Sequence, residues 1–428
     1  MKNPIFLLAS ILFLTSCSKE AMETQNALDA DLKHGVVEAN YFSAPIYLDD
    51  NGVTIKCYDW ANIGDTGEIN GITYTIVNET MLREMIGQSA DLTKVCTTRV
   101  TDMSNLPFPS SFTQDIGNWD VSNVTDMSYM FGNYNYFEQK FNQDIGNWDV
   151  SSVTTMSGMF SDAGRFNQDI GNWDVSSVTT MDNMFFYAGS FNQHICKWDV
   201  SNVTDMSGMF GYARSFNEDI GNWDVSSVTK MIGMFIDANA FNQDIGNWDV
   251  SNVTHISHMF LGMDIFNQDI GNWDVSNATD MQYMFYDAGS FNQDIGNWDV
   301  SRVTNMANMF SGANSFNQDI GKWDVSRVTD MSNMFYYMSS FNQNIGNWNV
   351  SSVTDMSGMF YVSQSFDQDI GDWDVSRVTN MQVMFSGSIS FNQDLQNWVV
   401  DNVDSCWHFS NDTSQWTLPK PNLKNCQS

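Results

Sequence analysis

Aspartate is the residue type whose spacing in this chain most invites chemistry. Asp115, Asp144, Asp169, Asp219, Asp244, Asp269, Asp294 and Asp319 share one slot of a recurring unit, and Asp120, Asp149, Asp174, Asp199, Asp224 and Asp249 share a second, directly after a tryptophan. Carboxylates stacked in register repel one another, and such a ladder can recruit Ca²⁺. The competing reading is structural, with each Asp accepting hydrogen bonds from backbone N–H groups of its own turn. The interruptions favour the structural reading: His194 and Asn344 break the first column, and Asn349 and Val399 the second. The glycine-aspartate signature of calcium-binding β-helices is absent as well. Ca²⁺ is kept as a secondary expectation, and no other cofactor is expected.

Two smaller features also have a structural alternative. Asp49-Asp50-Asn51-Gly52 lacks the residue spacing and terminal Glu of a calcium loop and reads as a hairpin turn. His255 and His258 stand three apart, a metal-capable spacing, but a third ligand is not apparent and both are read as solvent-facing. No Gly-rich phosphate loop, zinc motif or nucleophile elbow occurs. Ser and Thr recur in every copy of the unit, as scaffold residues do, so no catalytic residue is assigned and the chain is not expected to be an enzyme.

Charge narrows the partners. Lys plus Arg is 18 and Asp plus Glu is 51, a net charge of −33 over 428 residues. Phosphate contacts need clustered Lys and Arg, so no nucleic-acid partner is expected. Hydrophobic residues make up 42%, enough to build a core.

The N-terminus reads as an export signal. Lys2 precedes an apolar run from Ile5 to Leu14, followed by Thr15-Ser16-Cys17. The run is too short to span a bilayer and suits a signal h-region. Its end resembles a bacterial lipoprotein signal in which Cys17 is lipidated and becomes the mature N-terminus; the alternative is an ordinary secretory signal with a chance cysteine. On the lipoprotein reading, 1–16 is the signal peptide and 17–44 a polar lipidated tether. Export is compatible with disulfides. With Cys17 set aside as the lipid site, two cysteines precede the repeats and two follow them, so the pairing expected is Cys57 with Cys96 and Cys406 with Cys426. Cys196 falls outside this arithmetic, in a slot that is Gly in most other copies.

The repeat sets the architecture. Trp recurs at 119, 148, 173, 198, 223, 248, 273, 298, 323, 348, 373 and 398, with a first step of 29 and then 25 every time. Four residues inserted between Phe131 and Phe141 account for the longer step. Within one copy the apolar columns are Phe141, Ile145, Trp148, Val150, Val153, Met156, Met159 and Phe160. The step of two from Trp148 to Val150 predicts an extended piece, and the steps of three from Val153 predict one or two helical turns, N-capped by Thr154 or Thr155. No single unit buries its apolar side, whereas stacked units share one continuous core, so the fold expected is a repeat solenoid.

The pattern VTDMSxMF, a variable loop, then FNQDIGNWDVSN resembles the BspA-like leucine-rich-repeat surface proteins of bacteria. Residues 45–99 also resemble that family's leader, through IYLDDNGVTIKC, GITYTIV and TKVCTTRVTDM. The resemblance implies a leucine-rich-repeat-like right-handed superhelix with one short strand and one short helical piece per 25-residue turn. The organisation is then a capping segment over 45–99, about twelve repeats over 100–403 and a C-terminal cap over 404–428. It also implies an exported or lipid-anchored protein, with adhesion or binding in some members, and Ser18-Lys19-Glu20, which resembles the Lys-plus-acid signals of surface lipoproteins of the Bacteroidetes type, adds the expectation of attachment at the outer membrane and exposure on the cell surface. Phe and Ile here replace the family's usual Leu.

The loop after Met-Phe varies between copies (SDAGR, FYAGS, GYARS, YDAGS, YYMSS and others) and is rich in Tyr, Gly, Ser and Asn. Tyr gives rigid contact area and the small residues adaptable polar contacts, a mixture that suits binding; the alternative is drift on a solvent-exposed edge. The candidate contact residues are Tyr134, Tyr136, Tyr187, Tyr212, Tyr286, Tyr336, Tyr337 and Tyr361. The ligand expected is a protein or glycan at the cell surface, and a structural spacer without a ligand is the alternative.

Overall fold

A computed structural model describes residues 44–132 and 140–424. The signal and tether, Cys17, the insertion with Tyr134 and Tyr136, and Cys426 lie outside the described residues.

The chain enters the repeats through a small mixed segment. β1 (Ile46–Leu48) and β2 (Ile55–Cys57) form an antiparallel hairpin. Its turn is the Asp49-Asp50-Asn51-Gly52 stretch, where Asn51 accepts from the N–H groups of Val53 and Thr54, both at 2.9 Å. β3 (Thr66–Ile69) and β4 (Ile72–Ile76) pair antiparallel across Asn70-Gly71, and β5 (Val95–Cys96) joins β4 in parallel. Between β4 and β5, α1 (Glu79–Gly87) is N-capped by Asn78, which accepts from Met81 N–H, and buries Leu82 and Ile86. This segment is tied to the first coil: Ile55 N–H donates to Asn118 O at 2.9 Å, and the Trp119 indole N–H to Leu92 O at 3.0 Å.

Cys57 and Cys96 sit on the neighbouring strands β2 and β5, but as buried free thiols, not as the expected bridge. The Cys96 thiol donates instead to Ile55 O at 3.5 Å. Burial, more than any neighbour, pushes its pKa up to about 12. The folded state thus holds a proton that the unfolded thiol releases near its ordinary value, so stability from this group is present below that value and is lost as pH rises toward 12. Cys96 should resist alkylation in the folded protein at pH 8, and it should react after unfolding without reductant, as mass spectrometry would show. A thiol still silent after unfolding would contradict the free state.

From Asp102 onward the chain is a repeat solenoid of coils of about 25 residues. One residue per coil forms a parallel β-bridge with its counterparts in the coils on either side, in an unbroken series from Asp102 through Asp126, Thr155, Thr180 and onward to Ser405. Around this ladder the backbone alternates its donors. The N–H groups of Met156, Gly158, Phe160 and Asp162 donate to Thr180, Asp182, Met184 and Phe186 of the next coil, whereas those of Met159, Ser161 and Ala163 donate to carbonyls three residues back in their own coil.

That alternation corrects the expected helical piece: no copy contains one among the described residues. A helix would send each N–H to the carbonyl four residues back. Consecutive turns with every second N–H given to the neighbouring coil produce the same three-residue apolar spacing, and the capping expected of Thr154 is replaced by its N–H and hydroxyl donating to Thr125 O of the preceding coil. Pairing between coils also lies at the Thr155 slot, not at the Trp148–Val150 step where an extended piece was expected.

Away from the ladder, side chains knit the coils. Each indole N–H reaches back to the preceding coil, as Trp173 does to Ile145 O and Trp198 to Ile170 O, at 3.2 and 3.1 Å. In most copies the Asn of Phe-Asn-Gln accepts from the next coil's backbone N–H and Gln amide: Asn167 accepts from Asn192 at 2.8 Å and Gln193 at 2.9 Å. Inside, Trp173 and Trp198 stack at 6.5 Å with planes 1° apart, and Phe160 lies 4.0 Å from Phe166 and 5.6 Å from Phe185. Strands in register lie about 4.8 Å apart, so successive coils sit closer at the ladder than at the tryptophans. The insertion leaves the column intact, since Trp119 and Trp148 still stack at 6.5 Å. At the far end Trp416 turns across the column, 85° to Phe391 and 71° to Phe385, and closes it.

Candidate binding face

The aspartate columns resolve into turns. Asp144 accepts from Gly146 N–H at 3.0 Å, and Asp149 from Ser151 N–H at 3.2 Å and its hydroxyl at 2.6 Å. Asn344 and Asn349 make the same bonds to Gly346 and Ser351, so the turn needs the oxygen and not the charge. Among the described residues no three His, Cys, Asp or Glu gather as a metal site. His255 and His258 have different surroundings. His255 pairs with the Thr254 hydroxyl at 2.8 Å, whereas His258, expected to face solvent, is half-buried on the Tyr283 ring at 4.8 Å, where burial pulls its pKa down.

The loop tyrosines have a definite place. Among the described residues the coils carry two left-handed backbone corners each, at the slots of Gly158 and Asp162. The second corner is filled by Asp162, Tyr187, Tyr212, Asp237, Asp287, Tyr337 and Val362 at φ between 51 and 60°, and in other coils by Gly262, Gly312 and Gly387 at 72 or 73°. A side chain in this region costs roughly 1–2 kcal/mol that glycine does not. The slot before it lies beside the ladder too, half-buried where it holds Phe186, Tyr286, Tyr336 and Tyr361 and buried where it holds Ser161. The loop therefore begins on the ladder face itself.

Ring contacts gather these side chains into groups. Tyr187 and Tyr212 stack at 4.2 Å with planes 5° apart, and Phe186 stands edge-on to both, 4.8 and 5.5 Å away. Tyr336 stacks on Tyr361 at 4.7 Å, with Tyr337 4.8 Å from the first and 5.4 Å from the second. Tyr286 contacts Tyr283 at 5.5 Å. Tyr187 and Tyr337 are exposed, and Tyr212, Tyr286, Tyr336 and Tyr361 half-buried. Burial raises the pKa of Tyr212 and Tyr336, the Asp287 charge raises that of Tyr286, and Tyr337 raises that of Tyr361, so these phenols keep their protons.

Phe186 and Tyr283 complete these groups beyond the candidate contact residues, and His258, expected only as a solvent-facing residue of metal-capable spacing, joins them through the Tyr283 ring. Phe186 stands in the variable loop itself, and the sequence signal for Tyr283 and His258 is that the two residues before Met-Phe vary between copies as the loop does, reading SG, DN, IG, SH, QY and AN.

Comparison with known proteins agrees with the repeat. The family described as Mycoplasma protein of unknown function, DUF285, matches in six overlapping stretches, 78–195, 110–220, 164–265, 188–293, 239–337 and 316–417. This chain belongs to that family. The DUF285 matches run together from the end of β4 into the last coil, and their overlaps are those of one short unit recurring in phase. No curated protein and no solved structure matches the chain. Among the described residues no helix is long and apolar enough to cross a membrane.

Proposed function

We propose that this DUF285 chain is an exported lipoprotein, anchored through Cys17 at the outer membrane and displayed on the cell surface, whose ladder face binds a macromolecular ligand. In this reading the solenoid is right-handed and of the BspA-like leucine-rich-repeat kind. The ladder would take the place of the strand in each turn, and the coil's successive turns the place of the helical piece.

One observation carries the binding role. Tyr187, Tyr212 and Tyr337 hold left-handed corners that the same fold fills with glycine elsewhere, so their side chains are not required by the backbone and are kept against a conformational cost. The chain also supplies its own conservative replacements, Gly262 and Gly312 for that slot and Ser161 and Ser311 for the slot before it.

The test combines location and binding. Protease shaving of intact cells should release the solenoid, and the purified protein should capture a reproducible partner from a host-protein and glycan array. Replacing Tyr187 and Tyr212 with Gly and Tyr336 and Tyr361 with Ser should weaken that capture about tenfold or more, as loss of clustered aromatic anchors does, with little change in melting temperature. Capture that survives all four substitutions removes the face from the reading, and an array with no reproducible hit leaves the protein a structural spacer.

A further inference from the structure

The slot of Ser161 builds a stripe along the ladder face. Phe186, Ile236, Leu261, Tyr286, Tyr336 and Tyr361 occupy it in six coils. Where Gly211 interrupts, the side chains on either side lean over it: a Cβ there would lie 2.7 Å from the Phe186 ring and 2.9 Å from Ile236. The stripe thus stays apolar across its glycine, and the buried Ser311 separates its Phe186–Tyr286 part from Tyr336 and Tyr361.

Acids border this stripe on both sides. The ladder slot carries Asp205, Asp280, Asp330 and Asp355, and the left-handed corner carries Asp237 and Asp287. Among the described residues at the slots of Thr155, Ser157, Gly158, Ser161 and Asp162, Lys230 is the one Lys or Arg, and the exposed Arg214, two residues past the corner, acts on Asp237. The Lys230 ammonium is already held by Asp205 at 3.1 Å.

We propose that the face takes a basic protein segment, with apolar side chains on the stripe and Lys or Arg side chains laid over the tyrosine rings and toward the flanking carboxylates. The inference rests on the binding reading and names the chemical class of its partner. Two physical terms act together. A cation over an aromatic face is held by the ring's negative quadrupole, the more strongly as water leaves. The carboxylate rows, on a chain of net charge −33, draw a cationic partner in and repel an anionic one. An uncharged glycan would use the rings and leave the carboxylate rows unused.

The experiment uses the full chain and three probes: a short peptide alternating Arg and Leu, its Glu and Leu counterpart, and a neutral oligosaccharide, each measured by calorimetry at low and high salt. The Arg-Leu peptide should bind, more weakly at high salt, and the Glu-Leu peptide should not. Tyr336→Ser with Tyr361→Ser should cost the Arg-Leu peptide about tenfold, the loss expected for two desolvated cation–π contacts. Asp149→Asn with Asp174→Asn, which removes two charges from the Trp-Asp turns while keeping the bond that Asn349 makes to Ser351, should cost it less than about twofold, the screened loss of distant charges. Equal losses in the two variants would reduce the effect to net charge and overturn the proposal, as would equal binding of the Glu-Leu peptide. Tyrosine-dependent binding of the oligosaccharide alone would also overturn it, while leaving the binding reading intact.

Discussion

Trp248→Ala should destabilise the solenoid by about 3–5 kcal/mol, the range for truncating a fully packed aromatic. Trp248 is 3% exposed, stacks on Trp273 at 6.4 Å and donates its indole N–H to Ile220 O of the preceding coil at 3.2 Å. Truncation therefore removes a core ring and the indole's bond to the preceding coil, although Ile220 O keeps the Trp223 backbone N–H as a second donor at 3.1 Å. Trp248→Phe separates the two losses. It keeps most of the apolar surface and forfeits the bond, so it should cost about 0.5–1.5 kcal/mol, the net worth of one hydrogen bond whose acceptor stays satisfied. The truncated solenoid has a further signature. Each coil contacts only its neighbours, so a central defect weakens coupling between the two halves. Urea unfolding of Trp248→Ala should broaden or split into two transitions, where Val399→Ala, on a side chain 56% exposed, should leave the curve in place. A single sharp transition at the wild-type midpoint would contradict the indole's role as a connection between coils.

The sequence makes the core legible because the repeat makes it redundant. A column of Trp, Met or Phe seen at 25-residue spacing cannot be a surface accident, and the columns read from one copy are the residues found buried. The local conformation was harder to read. Val153, Met156 and Met159 have the spacing of a helix, yet Met156 N–H donates to Thr180 of the next coil while Met159 N–H donates to Met156 of its own. Periodicity reports which side chains point inward and is silent on which carbonyl receives each N–H. The tyrosines were legible as a variable class, because the loop after Met-Phe changes between copies. Their grouping was not, since it depends on coils adjacent in space: Tyr187 meets Tyr212 from one coil to the next, whereas Tyr286 meets Tyr283 within its own. Cys57 and Cys96 illustrate a different limit. Counting placed them together, and they do lie on neighbouring strands, but the hydrogen bond of Cys96 to Ile55 O is a matter of side-chain direction.

Gly146→Ala should destabilise by about 1–3 kcal/mol, the usual cost of forcing an added group into a packed contact, while Gly189→Ala should stay within about 0.5 kcal/mol, as surface substitutions do. Both glycines lie in the repeats, and their surroundings decide the contrast. A Cβ at Gly146 would stand 2.7 Å from the backbone carbonyl oxygen of Asp169 in the next coil and 3.4 Å from the Asp144 carboxylate, whereas one at Gly189 would meet nothing within 4 Å. The clash at Gly146 is with backbone, so no side-chain rotation relieves it and the backbone must shift. That shift acts on the neighbouring indole bond, because Trp173 of the next coil donates to Ile145 O, one residue before the glycine. Cys196 stands in the same slot of another coil, where the Trp223 indole still reaches Ile195 O at 3.2 Å, so the fold accommodates a Cβ there and the link between the glycine and tryptophan columns is the cost of that local shift. Thermal melts of the two variants, with hydrogen exchange at the Trp173 indole as a second readout, check this. Faster exchange at Trp173 in Gly146→Ala, with unchanged exchange in Gly189→Ala, is the expected pattern, and equal stability of the two variants would sever the link between the columns.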